Sequence, residues 1–336
     1  MATDLFEDQF AAALAAAADE TASPAERAEM LMEIAMGLQI RPKDPAQLRA
    51  AVDLCDKALS LCPEAETLLR ARITARKATA LQAMPGEDAA SLELARDAYK
   101  SVLPVFQSFG APEEVAELEM NFGLVLHSLA GLRRGRITDA ISAYQRALRT
   151  FDKIRFPKEF AILQNNLATA FLSIPMADER GKMREALAVQ AFEEGLRVVN
   201  VIDHPTEYAM LQNNLGNALQ YASSAHRVEN NVRALEAYDE ALKVRSRATM
   251  PIEYANTLTN KASCLQNLPD DPGQPEHGNR ANLVEARALY TEAREIFTIH
   301  GDIAKAGIVA EAVFQLEREL MNMPAGNGGP AQRADA

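Results

Sequence analysis

The sequence predicts an all-α fold in which one helical hairpin is stacked about six times, and three observations predict it. Of 336 residues, 48% are hydrophobic and 24% charged, Trp is absent and aromatics reach only 6%. This composition favours helix over β-rich architectures. The second observation is a returning motif: a small residue, an aromatic four positions on, and another small residue three positions further. It stands at Ala95/Tyr99, Ala140/Tyr144/Ala147, Ala188/Phe192/Gly195, Ala234/Tyr238/Ala241 and Ala286/Tyr290/Ala293, with a weaker copy at Ala51/Cys55/Ala58 where cysteine takes the aromatic slot. The copies recur every 44 to 52 residues or so, the range of helix-pair repeats. The third is a second helical pattern upstream of each copy, clearest in PKEFAILQNNLATAF from Pro157, PTEYAMLQNNLGNAL from Pro205 and PIEYANTLTNKASCL from Pro251.

Each element follows from local chemistry. An N-terminal helix is expected near residues 3–18. A first hairpin begins at Pro24, and looser copies of the upstream helix start at Pro63 (PEAETLLRARITARKATAL) and Pro112 (PEEVAELEMNFGLVL). Proline followed by glutamate suits a first helical turn, where the missing N–H costs nothing and a carboxylate meets the positive helix end. Tyr208, Leu211, Leu215 and Ala218 recur at three- and four-residue spacing, which makes the upstream helix amphipathic. Within hairpins, MPGED from Met84, GLRRGR from Gly131, IPMADERGK from Ile174 and LPDDPGQPEHGN from Leu268 carry the Pro and Gly that stop helices. A closing helix is expected near 301–321. No hairpin covers its own apolar faces, so the expectation is a right-handed α-solenoid, with residues 1–22 as an N-terminal helix or cap, 23–322 as the repeat domain with a C-terminal capping helix, and 323–336 as a flexible tail.

Charge and composition also exclude. With 35 Lys and Arg against 47 Asp and Glu, the net charge is -12, which argues against nucleic acid or an anionic membrane as partner. No run of about 18 apolar residues occurs, and acids among the first twenty residues disfavour a secretion signal. Three cysteines, Cys55, Cys62 and Cys264, suit a reducing compartment, so a cytoplasmic location is expected. No phosphate loop, dinucleotide turn, HExxH, GxSxG or CxxC is present, and neither a catalytic residue, a metal site nor a cofactor is expected. The five histidines, His127, His204, His226, His277 and His300, lack ligand spacing. Cys55 and Cys62, beside Met30, Met32 and Met36, read as core rather than as a soft-metal site. The arginines of LRRGR, without interleaved aromatics, read as a complement to a helix C-terminus.

NLGNAL at Asn214 to Leu219 followed by ALEAYDEAL at Ala234 to Leu242 resembles the tetratricopeptide repeat, and the long Pro-led helices with NNL are similar to the extended repeats of kinesin light chains and of bacterial tetratricopeptide proteins. The resemblance covers roughly residues 24–298. It departs where Gln164 and Gln212 stand near the slot that usually holds an aromatic, and where the spacing exceeds the usual 34 or so.

Aligning the upstream helices places Asn121, Asn166, Asn214 and Asn260 in equivalent positions, 45, 48 and 46 residues apart. The resemblance implies that this position faces a concave groove and bonds the backbone of an extended peptide, a task that a carboxamide, both donor and acceptor, performs without charge. One turn on stand Thr169, Asn217 and Ser263, and a turn further Gln220 and Gln266. Duplication of one ancestral repeat accounts for the same ladder. Arg76 takes the aligned position in the second copy, with Arg72 one turn earlier; the pair reads either as an anchor for a carboxylate or phosphate or as a solvated outer face.

The leading expectation is a non-enzymatic scaffold or adaptor that binds a peptide or extended protein segment in that groove. A dedicated assembly chaperone for one client and a peptide-sensing regulator are the alternatives. Homo-oligomerisation through the Met- and Leu-rich N-terminal helices is a further expectation.

Overall fold

The computed structural model describes residues 14–15, 17–18, 21–40, 44–84, 89–174, 179–222, 226–274, 276 and 278–323. Among them are thirteen α-helices from Pro24 onward and no strand: α1 (Pro24–Gln39), α2 (Pro45–Leu61), α3 (Thr67–Ala83), α4 (Ala90–Phe109), α5 (Pro112–Gly131), α6 (Ile137–Ala147), α7 (Pro157–Leu172), α8 (Glu179–Leu196), α9 (Pro205–Gln220), α10 (Arg227–Leu242), α11 (Pro251–Leu265), α12 (Arg280–Ile299) and α13 (Ile303–Asn322). No described helix is long and apolar enough to cross a membrane. Most of the N-terminal helix expected near 3–18, and the segment expected as a tail beyond Met323, lie outside the described residues; Leu14, Ala15 and Ala17 are helical.

The chain divides into two compact units, Met1–Ile174 and Pro175–Ala336. In the first, α1 pairs with α2, α3 with α4 and α5 with α6, and each pair rests on the next through α2 on α3, α4 on α5 and α6 on α7. In the second, α9 pairs with α10, α11 with α12, and α13 closes the stack on α12, while α8 packs on α9 and α10 on α11. Five of the six expected hairpins therefore lie whole within a unit. The two helices of the fourth, α7 and α8, fall in different units.

The ends of the helices follow from sequence. Ser23 caps α1 in a reciprocal box, its hydroxyl accepting from the Glu26 N–H at 3.3 Å while the Glu26 carboxylate accepts from the Ser23 N–H at 2.8 Å. The side chains of Asp44 and Asp302 cap α2 and α13 by accepting from the N–H groups of Ala46 and Lys305. Proline opens α1, α2, α5, α7, α9 and α11. The helix expected from Pro63 begins instead at Thr67. Residues 63–66 form a turn in which the Glu66 N–H donates to the Pro63 carbonyl at 3.1 Å, because Cys62 ends the preceding helix in an extended conformation.

Among the described residues the core includes a series of small clusters along the stack. Tyr99, Tyr144 and Tyr290 each sit in one of them, Cys55 takes that place in the cluster of the first hairpin, and the motif rings Tyr99, Tyr144, Phe192, Tyr238 and Tyr290 are all at least 95% buried. Two positions after the ladder residues the upstream helices carry Ala78, Gly123, Ala168, Gly216 and Ala262, all buried, and within the units Ala78, Gly123, Gly216 and Ala262 lie on the side of the rings. At the two glycines the approach is closest. A Cβ on Gly123 would lie 2.4 Å from the Tyr144 ring, and one on Gly216 would lie 2.6 Å from the Tyr238 ring.

Gly216→Ala is expected to destabilise by about 1–3 kcal/mol through overpacking, even though alanine is the better helix former by ~1 kcal/mol. Gly307→Ala, in α13 with nothing within 4 Å of the added carbon, is expected to stabilise by about 0.5–1 kcal/mol. Urea unfolding of both variants checks the contrast; two changes of the same sign would refute the close-packing account.

Candidate functional site

In the first unit, α1, α3, α4 and α5 enclose a cavity of about 280 Å³ lined by Glu29, Met32, Glu33, Arg72, Ala75, Arg76, Thr79, Tyr99, Phe106, Glu114, Glu117, Leu118 and Asn121. Three of the residues singled out from sequence, Asn121, Arg72 and Arg76, thus share one pocket. Its floor is apolar, from Met32, Phe106, Leu118 and the ring of Tyr99. The Tyr99 hydroxyl is held 2.9 Å from Thr79 Oγ1, and burial pushes its pKa up to about 12, so it stays protonated. Arg72 forms a two-pronged pair with Glu114, Nε to Oε1 at 2.7 Å and Nη2 to Oε2 at 3.1 Å. Glu114 also accepts from the Ala111 N–H at the start of α5, at 2.9 Å, and the Arg72 guanidinium holds its carboxyl below the usual range. The two charges fix one another, which leaves Arg76 against the exposed Glu29, Glu33 and Glu117 around the mouth. The pocket therefore carries a surplus of negative charge over an apolar floor.

These acidic residues were not singled out from sequence. Glu114, Glu117 and Asn121 follow the i, i+3, i+7 spacing of one helix face, a signal present in the chain, yet the Arg72–Glu114 pair joins positions 42 apart.

The remaining ladder residues make hydrogen bonds within the protein, while Asn166 Nδ2 is buried without a partner among the described residues. Asn166 is 92% buried by its 8% exposure and accepts from Asn165 Nδ2 at 3.3 Å, while the Thr169 hydroxyl turns back to the carbonyls of Asn165 and Asn166. In the second unit the Tyr238 hydroxyl lies 2.8 Å from both Asn217 Oδ1 and Gln220 Oε1, its one proton facing the two oxygens, and Gln220 Nε2 donates to Ser263 Oγ at 3.0 Å. Gln266 Nε2 donates to the Tyr290 hydroxyl at 2.9 Å. Asn213 Nδ2 donates to Asn214 Oδ1 at 3.1 Å, and Asn213 Oδ1 accepts from Asn260 Nδ2 at 3.2 Å.

A rule emerges from the tyrosines. Their rings are buried against the upstream helix, and their hydroxyls are satisfied by polar groups three or six positions beyond its ladder residue: Thr79, Asn217 with Gln220, and Gln266. In the copy around Tyr144 those two positions hold Leu124 and His127, and the Tyr144 hydroxyl is buried with no partner among the described residues. His127 Nε2 lies 3.1 Å from Ser173 Oγ instead, and burial lowers its pKa.

Among the described residues no three metal-ligating side chains cluster. Burial pushes Cys55 and Cys264 up to about 12, so neither offers a thiolate. His204 lies at the start of α9, His226 and His300 are exposed, and His277 is outside the described residues. In the LRRGR loop Arg133, Arg134 and Arg136 are exposed; Arg136 pairs with Asp139 at 2.9 Å, and Arg133 ends α5 in the left-handed conformation with φ 59°.

The sequence matches no protein-family model and no curated protein. Among solved structures, BtubC (BKLC) from P. vanneervenii is 17% identical, with 93% of this chain and 95% of that chain covered and a TM-score of 0.39. A Rap protein complexed with competence and sporulation factor is 11% identical, with 88% and 81% covered and a TM-score of 0.41.

His127→Gln restores at this position the residue type that serves Tyr238 and Tyr290. It is expected to stabilise by about 1 kcal/mol by pairing the Tyr144 hydroxyl. It also removes a pH dependence whose sign follows from the lowered pKa. The unfolded chain takes up the proton first, near pH 6.5 or so, so stability rises with pH between the folded and unfolded pKa values and is lost as pH falls through that window. Urea midpoints between about pH 5 and 8 check both effects; a variant that is less stable and equally pH-sensitive would refute the assignment.

Proposed function

We propose that the chain is a non-enzymatic, tetratricopeptide-like protein that binds an extended segment of another protein. The segment seats in the pocket of the first unit and presents a basic side chain to it. The observation that carries this reading is the conjunction in one cavity of an apolar floor (Met32, Phe106, Leu118, Tyr99), a half-buried carboxamide (Asn121) and an acidic mouth (Glu29, Glu33, Glu117). A lysine or arginine fits that gradient: its methylenes cover apolar surface while its charged head stays at the wet, negative rim. Asn121 supplies one donor and one acceptor for the backbone of the segment. Arg72, locked to Glu114, shapes the wall, and Arg76 disfavours a second positive charge beside the first, which selects for register. The net charge of -12 favours encounter with basic segments generally.

Selection from a random peptide library, followed by titration of the enriched peptides, tests this. Enriched sequences are expected to share a Lys or Arg next to an apolar residue. Glu117→Lys together with Glu33→Lys is expected to weaken binding by roughly 10-fold or more, mainly through the association rate. Affinity is expected to fall as salt is raised. Enrichment without basic residues, or affinity unchanged in the charge-reversed and Asn121→Ala variants, would overturn the reading.

A further inference from the structure

The repeat register exposes a substitution in the second unit that its packing does not require. Six residues before the prolines that open α7, α9 and α11 stand Phe151, Val199 and Arg245, and six residues after them stand Leu163, Leu211 and Thr257. All six are buried: Phe151 is 5% exposed, Val199 4% and Arg245 8%, and the other three are fully covered. Two copies thus fill both positions with hydrocarbon, and the third fills both with polar groups. Arg245 Nη1 donates to Thr257 Oγ1 at 2.8 Å and to the Glu253 carbonyl at 3.5 Å. Thr257 Oγ1 in turn lies 2.9 Å from the Glu253 carbonyl and 3.2 Å from Asn213 Oδ1, with one proton to give to either, and Asn260 Nδ2 converges on the Asn213 oxygen at the same 3.2 Å.

Every acceptor bonded to this guanidinium is neutral, and Nε is buried without a partner among the described residues. Removing an arginine from water costs several kcal/mol, and neutral acceptors offset only part of that. Burial accordingly lowers its pKa, with the charge of Glu253 acting the other way. A hydrocarbon side chain, as at Phe151 and Val199, meets the packing need at no such cost. A charge kept at a position where the fold accepts an apolar group marks a functional requirement.

We infer that Arg245 is the anchor of an oxyanion site, binding the planar or tetrahedral oxygens of a carboxylate or phosphate through its guanidinium edge. The guanidinium offers donors in a fixed fork suited to two oxygens at once, and the residue keeps 8% of its surface open to solvent. The site stands in the second unit and does not depend on the pocket of the first.

The test is thermal unfolding and isothermal titration of the full chain with sodium phosphate and, separately, sodium acetate, with sodium chloride at matched ionic strength as reference. Wild type is expected to melt a few degrees higher in phosphate or acetate than in chloride; phosphate alone assigns a phosphate group, and acetate alone a carboxylate. Arg245→Met is expected to be at least as stable as wild type, since a buried charge gives way to hydrocarbon, and to lose the anion response. Arg245→Lys, which keeps the charge without the fork, is expected to bind at least 10-fold more weakly and decides the matter if the Met variant does not fold. An equal response to all three salts, a response surviving in Arg245→Met, or unchanged affinity in Arg245→Lys would overturn the inference.

Discussion

The contact on which the rest depends is the insertion of an aromatic ring from the second helix of a hairpin into the space left by a residue with no more than one side-chain carbon on the first. At Gly123 and Gly216 the fit is close enough that one further carbon would overlap the ring. Because interiors pack at near-crystalline density, that overlap sets how near the two helices lie and how they are phased. The surrounding alanines at 140, 143 and 147, and at 234, 237 and 241, are buried for the same reason: they let the ring-bearing helix approach.

Seating the ring has a polar consequence. The tyrosine hydroxyl ends up against the neighbouring helix, out of reach of bulk water, and must find a partner there or lose its hydrogen bonds. Asn217, Gln220 and Gln266 meet that need, so carboxamides that look like offered surface when read along the chain serve in part to complete the interior. A carboxamide has two donors and can accept twice, which lets Gln220 receive the Tyr238 hydroxyl and still donate to Ser263 on the next upstream helix. Intra-hairpin packing and inter-hairpin registry are thereby joined through one side chain.

Much of the fold was legible in sequence, because the hairpin period, the small–aromatic–small motif and the Pro-led helices are short-range patterns. Where the expectation failed, a short-range pattern was misapplied: Pro63 looks like the openings at Pro112, Pro157 and Pro205 but lies in a turn, since Cys62 leaves the previous helix extended. The candidate site was legible only as positions. Alignment brought out Asn121, Arg72 and Arg76, and these do line one cavity, but what each is bonded to depends on pairs such as Arg72 with Glu114 that are far apart in the chain. The acidic rim and the Arg245–Thr257 pair carry no motif. Register alone marks Arg245 and Thr257 as departures from their siblings, but that both are buried and bonded to one another, and that the glutamates converge on one mouth, is visible only in three dimensions.

Within each unit a helix rests chiefly on its immediate neighbours in the chain, and this has a kinetic corollary. Sequence-local contacts close short loops, so the entropy lost in forming each hairpin is modest and contact order stays low for so long a polypeptide. A growing chain emerging N-terminus first can consolidate one hairpin before the following one is synthesised, and damage to a single copy propagates to its neighbours before it reaches distant ones. An architecture of this kind tolerates divergence among its copies, which is how one of them comes to harbour a charge that its siblings lack.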